Sequence, residues 1–176
     1  MTIIDFENLS CFLEQRLSQG YLAEVLPNLS PEWAIAFKVR LHSPIPQINL
    51  NNMACNIIHL SQNNGGRNSV HGDRTPFIAL KKENAQLHIS SSVNGNHNFA
   101  ENLIIFQMNQ TYHVEVKQRY VNSGNYRYSI HVNGDEAFGV LNTDARQFYD
   151  INVYASNPLH DPCPVYISNF KLTNFT

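Results

Sequence analysis

Two polar loops hold the side chains best suited to gripping a ligand. Ser61-Gln62-Asn63-Asn64-Gly65-Gly66-Arg67-Asn68 runs on through His71-Gly72-Asp73-Arg74 to Pro76, and Asn94-Gly95-Asn96-His97-Asn98 is a second, amide-dense stretch. Amide, carboxylate and guanidinium groups are planar and offer paired donors or acceptors, which suits the vicinal hydroxyls of a sugar. Asp73, Arg74, Asn94, Asn96 and His97 are therefore the candidate ligand-binding residues. A plainer use competes with this one. Asn and Gly are good turn formers, and Asp73 with Arg74 would then brace the long loop as a local ion pair.

A cation is the second chemistry to weigh. Calcium takes roughly six to eight oxygens, usually from two or more carboxylates. Asp73, Asp144, Asp150 and Asp161 are the candidates, but no dense acidic loop gathers them. No cofactor is required by this reading, and calcium is the one candidate. His71, His97 and His160 fall in loops without zinc-type spacing and read as scattered, solvent-exposed histidines. Catalysis finds less support. There is no nucleophile elbow. A retaining glycosidase needs two carboxyl groups about 5 Å apart, whereas Asp135 and Glu136 are adjacent and would diverge along a strand. The chain reads as a non-enzyme.

Such loops need a rigid scaffold, and alternation supplies one. Trp33, Ile35, Phe37, Val39 and Leu41 share one face of a strand. Asn56–Leu60, Phe77–Leu80, Gln86–Val93 and Leu103–Phe106 read as further strands. Tyr112, Val114, Val116 and Gln118 share a face, as do Tyr126, Tyr128, Ile130 and Val132, and Asn133-Gly134 makes a tight turn after the second run. Asp150–Ala155 and Val165–Leu172 close the series. Residues 12–26 fit either a helical turn or a strand, and Pro27, Asn28, Ser30 and Pro31 punctuate a turn. Many short strands with turns between them predict an all-β, two-sheet antiparallel sandwich.

The 176 residues fit one domain, 1–176. A net charge of −2 gives no electrostatic footprint for nucleic acid, and no apolar run reaches the roughly 20 residues of a membrane span. The opening MTIIDFENLSCF has no basic start, and Asp5 and Glu7 interrupt its apolar character, so it is not a signal peptide as it stands. An extracellular setting fits if Met1 replaces a removed signal; the alternative is cytoplasmic. Three cysteines allow one bridge. Cys11 with Cys163 is the expected pair, because the two ends of a sandwich chain often lie side by side, and three buried free thiols are the alternative. Four sequons, at Asn8, Asn28, Asn109 and Asn174, carry little weight in so Asn-rich a chain.

The order of these pieces resembles the concanavalin A-like jelly roll, the superfamily of laminin G-like domains, pentraxins, L-type lectins and galectins. The resembling residues are Trp33–Val39, Ile57–Leu60, Leu87–Ile89, and above all Tyr112–Val116 followed by Tyr126–Gly134, with Ile151–Tyr154 and Tyr166–Phe170 late in the chain. The likeness covers about Leu22 to the C-terminus. It implies a jelly-roll β-sandwich and a lectin-like carbohydrate-binding module, with a glycan or glycoprotein held by surface loops. The alternative it implies is a protein-binding adhesion module or a self-assembling laminin G-like one, with a homo-oligomer as a candidate state. The galectin sugar motif and the L-type lectin metal strand do not transfer: Trp33 lies early, and His131-Val132-Asn133-Gly134-Asp135 lacks the arginine.

Overall fold

A computed structural model describes residues 2–5, 14–47, 53–64 and 69–175, the first of these spans as backbone only. Among them are thirteen strands and no helix. They are β1 (Thr2–Asp5), β2 (Gln15–Arg16), β3 (Leu22–Leu29), β4 (Trp33–Leu41), β5 (Ala54–Ser61), β6 (Phe77–Lys81), β7 (Gln86–Val93), β8 (Asn96–Ile105), β9 (Thr111–Asn122), β10 (Asn125–Val132), β11 (Asp135–Asn142), β12 (Phe148–Ala155) and β13 (Val165–Asn174). One sheet runs β1-β13-β4-β9-β10-β11, with β2 also on β13, and the other runs β3-β12-β5-β6-β7-β8. Every strand pair is antiparallel. The expected two-sheet sandwich is therefore present.

Alternation decides which residues form the core. On β4, Trp33, Ile35, Phe37, Val39 and Leu41 are buried and meet Val114, Val116 and Ile167 from neighbouring strands. The facing sheet contributes Leu60, Ile78, Leu80, Leu87, Ile89, Ile151 and Val153. Burying one such side chain contributes about 1.5–3 kcal/mol, so the two inner faces hold the sheets together. Tyr128 is wholly enclosed, edge-on to Trp33 at 6.5 Å between ring centres. Burial pushes its phenol well above the ordinary tyrosine range.

Three two-residue turns fix the hairpin registers. Asn94-Gly95, Ser123-Gly124 and Asn133-Gly134 all take positive φ at both positions, joining β7 to β8, β9 to β10 and β10 to β11. Both residues of such a turn must be left-handed to follow the twist of the strands, which favours Asn-Gly.

Several expectations need correction. Residues 22–29 form a strand through Pro27, where a turn was expected; β3 is the edge of its sheet, where a missing N–H costs no ladder bond. The Asn94–Asn98 stretch is not all loop: only Asn94 and Gly95 turn, and Asn96, His97 and Asn98 already belong to β8. β11 had no sequence counterpart. The disulfide joins Cys55 to Cys163, with Cα atoms 4.8 Å apart, not Cys11 to Cys163. It ties β5 of one sheet to the residues that enter β13 of the other. Cys11 lies outside the described residues.

Candidate functional site

A candidate site lies on the outer face of the second sheet, and register shows how it is assembled. Tyr154, His59, Phe77, Ser90 and Ala100 sit opposite one another in turn across β12, β5, β6, β7 and β8. The next row holds Asn56, Ala79, His88 and Asn102. Their neighbours along each strand, such as Ile58, Ile78 and Ile89, point into the core. An apolar Phe77 on the outer face must be covered, and it is. The guanidinium of Arg74 lies 4.5 Å above its ring centre, His160 lies at 4.9 Å and His59 at 5.1 Å.

His160 comes from residues 156–164, a strap laid across the face. Asn56 Oδ1 accepts from Asn157 N–H at 2.8 Å, Asn56 N–H donates to Asp161 O at 2.9 Å, and Lys82 Nζ pairs with Asp161 at 2.7 Å. The histidines expected to be scattered and exposed are not. His160 is half-buried against Phe77, and burial together with Arg74 pushes its imidazole down to about 4. His71 meets His97 edge-on at 5.9 Å, and burial holds His71 below the usual imidazole range.

Arg74 is the one expected ligand residue at the centre of this face. Its Nη1 donates to Asn98 Oδ1 at 2.7 Å and to Ser90 Oγ at 3.0 Å. The anticipated ion pair with Asp73 does not form. The Asp73 carboxylate instead accepts from Asn63 Nδ2 at 2.7 Å, Ser69 N–H at 2.7 Å and Val70 N–H at 3.1 Å. Burial raises this carboxyl, but those hydrogen bonds outweigh it, and the net shift is downward. Asp73 is only 3% exposed, so its work is to close the long loop. Gly72 beside it has φ +92°, and a Cβ there would meet Gln62 Oε1 at 2.8 Å. Asp73→Asn replaces a triple acceptor with a group that must place one amide against a donor. It is expected to cost about 1–3 kcal/mol in a urea melt, with faster amide exchange at Ser69 and Val70. An unchanged melt would mean that the loop closes without the carboxylate.

The amide of Asn94 is consumed similarly. It donates to Leu141 O at 2.8 Å and accepts from Thr143 N–H at 2.8 Å, which fastens the β7–β8 turn to the end of β11. Asn96 is exposed, and its Oδ1 accepts from Asn98 N–H. His97 stands against His71, so the two loops do meet. Of the other carboxylates weighed for calcium, Asp144 pairs with Arg146 at 2.7 Å and Asp161 with Lys82, while Asp150 lies exposed on β12. Among the described residues no three His, Cys, Asp or Glu side chains gather as a metal site. Sequence reasoning missed Phe77, His88, Asn98, Asn102 and the strap. The outward positions of Gln86-Leu87-His88-Ile89-Ser90 were the available signal, since alternation sends His88 and Ser90 to the same face.

No protein-family model matches the chain, and no curated protein matches it by sequence. Solved structures do. The native heptameric SAP-like pentraxin from Limulus polyphemus aligns over 91% of this chain and 71% of its own, with a TM-score of 0.51 and 15% identity. Mouse laminin alpha1 chain domains LG4-5 align over 92% of this chain and 41% of theirs, with a TM-score of 0.52 and 14% identity. The fold is a concanavalin A-like jelly roll. The PL7 alginate lyase AlyA1 from Zobellia galactanivorans shares the shape over 84% of this chain and 65% of its own, with a TM-score of 0.51 and 13% identity. The same shape thus accompanies a lyase as well as a pentraxin and a laminin domain, and activity must be read from side chains. The adjacent acids of this jelly roll, Asp135 and Glu136, open β11, where Glu136 is bound to Arg127 and lies 3.8 Å from His131.

Proposed function

We propose that the chain is a non-enzymatic, lectin-like carbohydrate-binding module that holds its glycan on the outer face of the second sheet. What carries the reading is one junction. The long loop and the β7–β8 hairpin converge there, through His71 on His97 and through Arg74 on Asn98. Planar polar groups on a rigid sheet, with loops at the rim, suit an oriented set of sugar hydroxyls. The Cys55–Cys163 disulfide supports an extracellular setting.

The first test is a glycan array probed with calcium and again with EDTA. Binding in both conditions is the expected result. Binding lost in EDTA would make calcium part of the site and turn the search to Asp73, Asp144 and Asp161. Absence of binding in both conditions would overturn the carbohydrate reading in favour of a protein-binding or self-assembling module. One observation favours that second reading: Tyr120, Val121 and Leu141 are 52%, 47% and 45% exposed on β9 and β11.

A further inference from the structure

We infer that the Arg74 face takes the acidic group of a charged glycan, a carboxylate or a sulfate, in preference to neutral sugars. The inference rests on the carbohydrate-binding reading and adds the class of glycan. Arg74 is fixed from below by Phe77 and from one side by Ser90 and Asn98, all uncharged partners. Its Nε is shielded from solvent and has no acceptor. Among the described residues no carboxylate lies within ion-pair distance of the guanidinium. The neighbouring Asp73 carboxylate is spent inside its own loop.

The negative charge nearest the guanidinium is the Asp73 carboxylate, which acts on it from beyond ion-pair distance. His88 and His160 flank the same ring, their centres 6.3 and 4.9 Å from that of Phe77. His88 Nδ1 is engaged with Asn102 Oδ1 and His160 Nδ1 with Asn157 Oδ1, which leaves the Nε2 atoms uncommitted. Lys81 lies near enough to act on His88, and the Asp161 carboxylate is paired with Lys82. A guanidinium drawn partly out of water without a counter-ion costs free energy, and an incoming anion offsets that cost. A neutral hydroxyl offsets little of it. Nη1 is committed to Ser90 and Asn98 and Nε is shielded, so Nη2 is the donor that meets an oxygen of the incoming carboxylate or sulfate, in a charge-assisted hydrogen bond.

The test is an array that pairs each uronate-, sialate- and sulfate-bearing glycan with its uncharged counterpart, probed with the full chain, followed by calorimetry on the tightest pair. The charged member is expected to bind at least ~10-fold more tightly. Asn98→Asp is the decisive variant. It is isosteric, and it places a carboxylate 2.7 Å from Arg74 Nη1, where an amide oxygen now sits. The variant should keep or raise the melting temperature and abolish the preference for charged glycans. Arg74→Gln should also abolish the preference, but it can unseat Phe77, so Asn98→Asp guards against a folding artefact. Equal binding of charged and neutral members, or a preference that survives Asn98→Asp, would overturn the inference and leave the carbohydrate reading standing. No glycan bound at all would overturn the carbohydrate reading and this one with it. Inorganic sulfate bound without any glycan would assign the face to a different anion and equally overturn it.

Discussion

Replacing Cys55 and Cys163 together by alanine is expected to lower the unfolding free energy by about 3–5 kcal/mol. The bridge closes a loop of 108 residues, so its loss frees a large share of the unfolded chain. The folded state loses as well. The sulfurs lie in the core, with Cys55 1% and Cys163 2% exposed, beside a cavity of about 240 Å³ lined by Ile45, Pro46 and the Lys82–Asp161 pair. Alanine removes the two buried sulfurs and the packing contacts they make. Guanidinium melts of the double variant and of the parent, each with and without reductant, make the measurement. The parent in reductant should resemble the variant once unfolding exposes the sulfurs. A loss under about 1 kcal/mol would mean that the hydrogen bonds of the strap alone hold β5 to the approach to β13.

Acid is expected to unfold the protein early, and His59 is the reason. The side chain is fully buried, and its tautomer is fixed by geometry. Nε2 faces the Asp73 carbonyl at 2.7 Å, so it must carry the proton and donate. Nδ1 faces Asn157 Nδ2 at 2.7 Å and must accept. The amide cannot turn over, because Asn157 Oδ1 already accepts from the N–H groups of Leu159 and His160. A second proton on His59 would therefore point at a donor. Burial pushes its value from the ordinary 6.5 down to about 3. The unfolded chain binds that proton in the intervening window and the folded chain does not. Stability is then fully present above about pH 6.5 and falls as pH drops towards about 3, at roughly 1.4 kcal/mol per pH unit from His59 alone. His160, lowered to about 4, acts in the same direction. By about pH 4.5 the loss from His59 reaches roughly 2–3 kcal/mol, a large part of the stability of a domain this size. Urea midpoints measured from neutral pH to about 4.5 should fall steadily, and a flat profile would sink the assignment.

Strands were legible wherever one face is buried, because alternation leaves a trace in residue types. Tyr112, Val114, Val116 and Gln118 share a buried face as expected, and so do Tyr128, Ile130 and Val132. β11 escaped because it is an edge strand with few buried positions, and β3 because Pro27 reads as a break. The disulfide escaped because pairing depends on which strands cross, and three cysteines alone do not specify that. The site was half legible. Composition pointed to the loops that contain Arg74 and His97. It could not tell that Asp73 and Asn94 spend their side chains on fastening their loops, since that depends on how each loop closes. Nor could it place His160 over Phe77, contributed by segments more than 80 residues apart.

The place of β13 between β1 and β4 bears on how the protein is made. Leu41 pairs with Val165, and Trp33 with Asn174, so β4 waits for a partner that emerges from the ribosome far later. At usual rates of synthesis that interval is on the order of ten seconds. Throughout it one edge of β4 is unpaired. A nascent chain in that condition is a natural client for chaperones and can borrow a strand from a neighbouring copy. Yield in cells should therefore depend on translation speed and temperature more than the stability of the finished sandwich would suggest.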